Sequence, residues 1–153
     1  GKEKDTQSDF TGIISLYLDL LRILETYFRK EAGTQFDTIF SSCRDELPEE
    51  NKQILQGLDL SKDSQKVVLQ EILFYLPKQD SQAEKRILIF SSFNKLLFLL
   101  FLRMKKVLGT GLTEKTLNDM MDMLKYLGKY GKDVSVIDYL EKNLEGYLTR
   151  IRK

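Results

Sequence analysis

The segment at residues 87–108 constrains this chain more than any other. Its second half, Leu96-Leu-Phe-Leu-Leu-Phe-Leu102, is an unbroken apolar run of about two helical turns, so no side of it is polar. Its first half keeps a polar side made of Ser91, Ser92, Asn94 and Lys95. A helix that is apolar all round is expected to be buried all round. The pattern therefore predicts a central, largely buried helix over about 82–108, with the remaining elements packed on it. A membrane span would need ~20 apolar residues, and Asn94 and Lys95 interrupt this one, so no transmembrane segment is expected. Leu99 and Leu102 continue the line begun by Ser91 and Lys95, where solvent is expected. Any part of that line the chain leaves uncovered would mark an interface, because soluble proteins seldom expose large apolar patches.

The rest of the chain supplies helices to surround it. Phe10, Ile13, Ile14, Tyr17, Leu20, Leu21, Leu24, Tyr27 and Phe28 recur at the spacing of one helix face, which predicts a helix over about 9–31 ended by Gly33. A shorter helix is expected over 34–47, burying Phe36, Ile39, Phe40 and Cys43. Pro48 stops it and opens a brief helix to Leu55. After the connector 57–63, Ser61, Asp63 and Ser64 can each cap a helix carrying Val67, Val68, Leu69, Ile72, Leu73 and Leu76, which Pro77 ends. Ser81 with Glu84 makes a capping box for the central helix. Gly109-Thr-Gly111 reads as a C-cap and turn, followed by a helix from Thr113 with the stripe Leu117, Met120, Met121, Leu124 and Leu127. Asp133 caps a last helix bearing Ile137, Leu140, Leu144, Tyr147, Leu148 and Ile151. No segment alternates with period two, and no Asn-Gly or Asp-Gly hairpin turn occurs. The expected fold is an all-α, single-domain bundle of six to seven helices over 9–153. Residues 1–8 are expected to be a disordered segment or an expression remnant, with Gly1 such a remnant.

Composition narrows the function classes. Twenty-four basic and 23 acidic residues leave a net charge of +1, without the basic excess that phosphate neutralisation demands, so no nucleic acid is expected as a partner. Histidine is absent and Cys43 is the single cysteine. The commonest metal ligand and neutral-pH proton carrier is thus missing, and neither an intrachain disulfide nor a thiolate zinc site can form. No metal or other cofactor is expected. The lone thiol fits a cytoplasmic setting and reads as a core residue, and the start carries no signal-peptide pattern.

Several local patterns resemble chemistry and have plainer explanations. Ser92-Phe-Asn-Lys95 matches Ser-x-x-Lys, in which lysine activates a serine, but the companion motifs are missing. Asp59-Leu-Ser-Lys-Asp63 begins like a calcium loop, yet Ser64 replaces the central glycine and Gln70 the terminal glutamate. Gly109-Thr-Gly111 lacks the lysine of a phosphate loop. The cations at three helix ends (Arg103, Lys105 and Lys106; Lys125, Lys129 and Lys132; Arg150, Arg152 and Lys153) suit the helix dipole. Should those ends converge, they would form an anion-binding or membrane-facing patch. The carboxylates nominate no catalytic pair.

With no catalytic constellation, the chain is expected not to be an enzyme. It is expected to be a protein-interaction or oligomerisation module of a larger, bacterial-type signalling or regulatory protein, pairing with a protein partner or with itself as a homodimer. The candidate interface residues are Leu96, Leu99, Leu100, Leu102, Met123, Tyr126, Tyr130 and Tyr139, tyrosine being favoured where a ring packs and its hydroxyl stays wet. The alternative is a bundle holding a small apolar ligand in an internal pocket lined by Phe90, Phe93, Phe98 and Phe101.

Overall fold

The computed structural model describes residues 2–131 and 133–153, with side chains from residue 10 onward. The protein is all-α: the chain is 83% helical, with seven helices and no strand among the described residues. In chain order these are α1 (Lys2–Ala32), α2 (Gln35–Asp45), α3 (Glu49–Ile54) with a 3-10 turn (Leu55–Gly57), α4 (Gln65–Phe74), α5 (Gln82–Leu108), α6 (Thr110–Lys129) and α7 (Val134–Arg152). The expected separate segment 1–8 lies outside the residues whose side chains are described. Two compact units emerge, one of residues 1–22 and 41–96, the other of residues 23–40 and 97–153. Both α1 and α5 supply residues to each.

The first unit is held by apolar packing and by polar side chains that fasten its irregular segments. Tyr17 is fully buried, stacks on Phe93 at 4.7 Å between ring centroids and meets Phe90 edge-on. Its hydroxyl donates to Asn94 Oδ1 at 2.7 Å, so the ring is packed and its one polar group satisfied. The connector 58–63 has no ladder to hold its carbonyls. Arg22 donates to the carbonyls of Leu60 and Lys62 at 2.6 and 3.0 Å, and Arg44 donates to Leu58 at 2.9 Å. Inside the connector Asp59 Oδ1 accepts from the backbone N–H and hydroxyl of Ser61, an Asx turn. Those bonds hold the Asp59 carboxyl below its usual range. The oxygens that resembled a calcium loop thus shape a turn, and Ser64 caps α4 by accepting from Val67 N–H. Gly57 is needed for close approach: a Cβ there would meet Glu71 Cβ at 2.8 Å and its backbone carbon at 2.9 Å.

α1 begins at Lys2 rather than near residue 9; the later starts and stops follow the short-range signals with one exception. The Ser81–Glu84 capping box forms in both directions, at 3.1 and 3.3 Å, and Asp133 accepts from the N–H groups of Ser135 and Val136. Gly109-Thr-Gly111, in contrast, is not a three-residue turn. Gly109 alone reverses the chain, with φ +92° and ψ 167°, a region essentially restricted to glycine. α6 therefore begins at Thr110 rather than Thr113, and Gly111 lies within it. Burial within α4 also departs from expectation: Val67, expected in the core, is 44% exposed, because α4 buries Val68, Leu69 and Ile72 instead.

In the second unit, Phe28, Phe36 and Phe40 form a chain of rings at 5.4 and 5.7 Å, and Arg29 lies over Phe36. Arg29 also bridges Glu25 and Asp37 at 2.9 and 2.6 Å, which raises its own pKa and lowers that of Asp37. Tyr27 donates to Asp119, which also receives Lys115, so the end of α1 is tied to α6. α6 and α7 form an antiparallel pair: Arg152 Nε meets Glu114 Oε1 at 3.0 Å, while at the other end a Cβ added to Gly128 would touch the Ile137 side chain at 3.8 Å.

Candidate interaction surfaces

Ile89, Phe93, Leu96, Leu97, Leu100, Phe101 and Met104 of α5 are buried, as its apolar pattern requires. Its polar side is where expectation and structure part. Ser92 is fully buried and so is Asn51 of α3. Asn51 Nδ2 donates to Ser92 Oγ at 2.8 Å and Ser91 Oγ at 3.2 Å, while Lys95 Nζ donates to Asn51 Oδ1 at 3.3 Å. The side of α5 expected to face solvent is therefore only partly solvated: Ser92 is internal and Ser91 half-buried, while Lys95 stays exposed and reaches back to α3. This polar seam is stable because both ends of one amide are used, whereas an unmatched buried polar group is costly. The same bonds account for Ser92-x-x-Lys95: the lysine reaches Asn51, and the serine accepts from that asparagine.

Full burial of α5 is also not reached. Leu99 is half-buried, while Leu102 and Val107 are 40% and 46% exposed. Within the candidate interface set, Leu96 and Leu100 belong to the core and present nothing to a partner, because their i, i+4 line faces the chain's own side chains. Met123 is half-buried. Tyr126, Tyr130 and Tyr139 are open to solvent, at 60%, 70% and 42%. Tyr126 and Tyr130 pack on each other at 4.7 Å, one turn apart at the end of α6. Val134, 57% exposed, opens α7 just beyond the connection, and Tyr139 follows on the same helix. Their closeness in sequence on an antiparallel pair gathers them at one end of the unit.

Two of the candidate pocket phenylalanines belong to each unit. Phe93 is stacked under Tyr17, and Phe90 sits beside Tyr17 and under Arg86. Phe98 and Phe101 both pack on Tyr147, at 5.5 and 5.9 Å, and Arg150 covers Phe98 at 4.9 Å. Burial among these groups pushes the Tyr147 phenol upward in pKa. Two surface depressions of about 500 and 410 Å³ are lined by Arg44, Asp45, Glu49, Lys52, Gln53 and Gln56, and by Lys66, Val67, Gln70, Glu71 and Phe74. None of the four phenylalanines lines either one.

The basic helix ends separate into two places. The end of α5 is one residue from the start of α6, and the Arg152–Glu114 pair sets the end of α7 beside that same start. Tyr147 and Arg150 on Phe98 confirm that α7's last turns run along α5's second half. Arg103, Lys105 and Lys106 therefore lie at the same end of the unit as Arg150, Arg152 and Lys153. Lys125 and Lys129 lie towards the far end of α6, roughly 20–30 Å from its start at 1.5 Å per residue; Lys132 is outside the described residues.

By length and composition α5 could cross a membrane, with 44% of its most apolar stretch buried in the chain. Among the described residues, no group of three or more Cys, Asp or Glu side chains could hold a metal ion. No protein-family model matches this chain, and it finds no match among curated proteins or solved structures.

Proposed function

We propose that this chain is a non-catalytic protein-interaction module that associates with a second copy of itself, acting in the cytoplasm within a larger signalling or regulatory protein. The observation that carries the reading is the exposed aromatic end of the α6–α7 pair, where Tyr126, Tyr130, Val134 and Tyr139 stand 42% to 70% open to solvent. Large apolar and aromatic side chains gathered in one place are what a protein contact uses, because tyrosine loses little conformational entropy when it packs. The burial of Ser92 and its bond from Asn51 argue for a structural role of the one nucleophile-like motif.

The test is sedimentation velocity across a concentration series, on the parent chain and on the double variant Tyr126→Ser/Tyr130→Ser. The parent chain forms a concentration-dependent dimer, and the variant weakens it at least tenfold, corresponding to about 1.4 kcal/mol, with unchanged circular dichroism. A strict monomer at high micromolar concentration, or a dimer indifferent to both substitutions, overturns the self-association reading.

A further inference from the structure

At the opposite end of the second unit from the tyrosines, the geometry points to a docking surface for an anionic membrane. Three observations place it. The ends of α5 and α7 converge on the start of α6, placing Arg103, Lys105, Lys106, Arg150, Arg152 and Lys153 at the same end of the unit. In sequence, residues 97–113 carry no carboxylate; Glu114 answers Arg152, and Glu145 stands five residues behind Arg150. Flanking the cations of α5 in sequence, Leu102 and Val107 are 40% and 46% exposed, without polar neighbours in sequence other than the basic residues themselves.

That mixture selects the occupant. Charge complementarity alone would fit any polyanion, but exposed leucine and valine beside basic residues match an interface whose surface is anionic and whose next layer is hydrocarbon. Cations bring the chain to the headgroups, and the two apolar side chains enter the acyl boundary. A nucleic-acid backbone would use the charges and leave Leu102 and Val107 in water. The proposal concerns a peripheral contact, and it is independent of the tyrosine surface, which lies about a helix length away.

The experiment is vesicle co-sedimentation of the intact chain with phosphatidylcholine vesicles and with vesicles of phosphatidylcholine plus phosphatidylserine. The chain partitions onto the anionic vesicles alone, and added salt weakens the binding, as screening of surface charge requires. Lys105→Gln/Lys106→Gln lowers partitioning roughly 30-fold, at about fivefold per charge near such a surface. Lys125→Gln/Lys129→Gln makes the same charge change at the other end and leaves partitioning within about twofold. Leu102→Ser, at an exposed position, weakens binding without altering its salt dependence. Circular dichroism verifies that all three variants remain folded. Absence of binding to anionic vesicles overturns the proposal, as does equal loss from the two lysine pairs. Preference for a single-stranded oligonucleotide over the vesicles, with Leu102→Ser silent, overturns it as well.

Discussion

Asn51 shows how much one buried side chain can hold in place. Its amide is the shared partner of Ser91, Ser92 and Lys95, so removing it takes the donor from the buried Ser92 hydroxyl and from half-buried Ser91 together. Asn51→Ala is expected to lower stability by about 2–3 kcal/mol, the range for leaving buried groups unpaired. Ser92→Ala leaves Ser91 to accept from the amide and costs about 1 kcal/mol. Urea denaturation of both variants checks the ranking, which reverses if the seam is solvated in solution. The residues of α5 that take part were legible as a polar side, but the burial of Ser92 was not. Nothing near Asn51 in sequence distinguishes it from its polar neighbours Glu50, Lys52 and Gln53, because its partners lie some 40 residues away.

For whole helices, legibility follows the range of the interaction. Ser81 with Glu84, Ser64 with Val67 and Asp133 with Val136 are bonds across three residues, so residue type and spacing suffice to read them. Substituting one should cost about 1 kcal/mol. Ser81→Ala and Asp133→Ala are expected to lower the thermal midpoint and to increase amide exchange in the first turns of α5 and α7. Exchange rising uniformly over the chain instead would show that these caps do not act locally. Gly109 and Gly111 mark the limit of such reading. Both are glycines near a helix break, yet only Gly109 adopts positive φ, and which of two glycines reverses the chain depends on where α6 must run. α4 makes the same point: its apolar residues surround the helix, so pattern alone could not choose which side Val67 would face.

At the scale of the molecule, burial sets a pH limit as well as the surfaces. The Tyr147 phenol is raised in the folded chain, chiefly by burial, above its ordinary value of about 10. A raised folded pKa means full stability below about pH 10 and a loss as pH climbs further, since the unfolded chain ionises there first. Tyr147→Phe removes that loss: its melting temperature should fall less than the parent's between neutral and strongly alkaline pH. Equal alkaline slopes for the two proteins would show that Tyr147 is not protected. The all-α class, the seven segments and the greasy helix at 82–108 follow from the sequence alone, because periodicity, caps and glycine or proline stops act within a few residues. So does the exposure of Tyr126, Tyr130 and Tyr139, which lie off the stripes their helices bury. Only tertiary structure decided that Ser92 is internal, that Leu96 and Leu100 face the core while Leu102 does not, and that two of three basic helix ends lie at one end of the unit. Each depends on which distant helix covers a given face, and a local pattern states that a face is apolar or charged without stating what will lie against it.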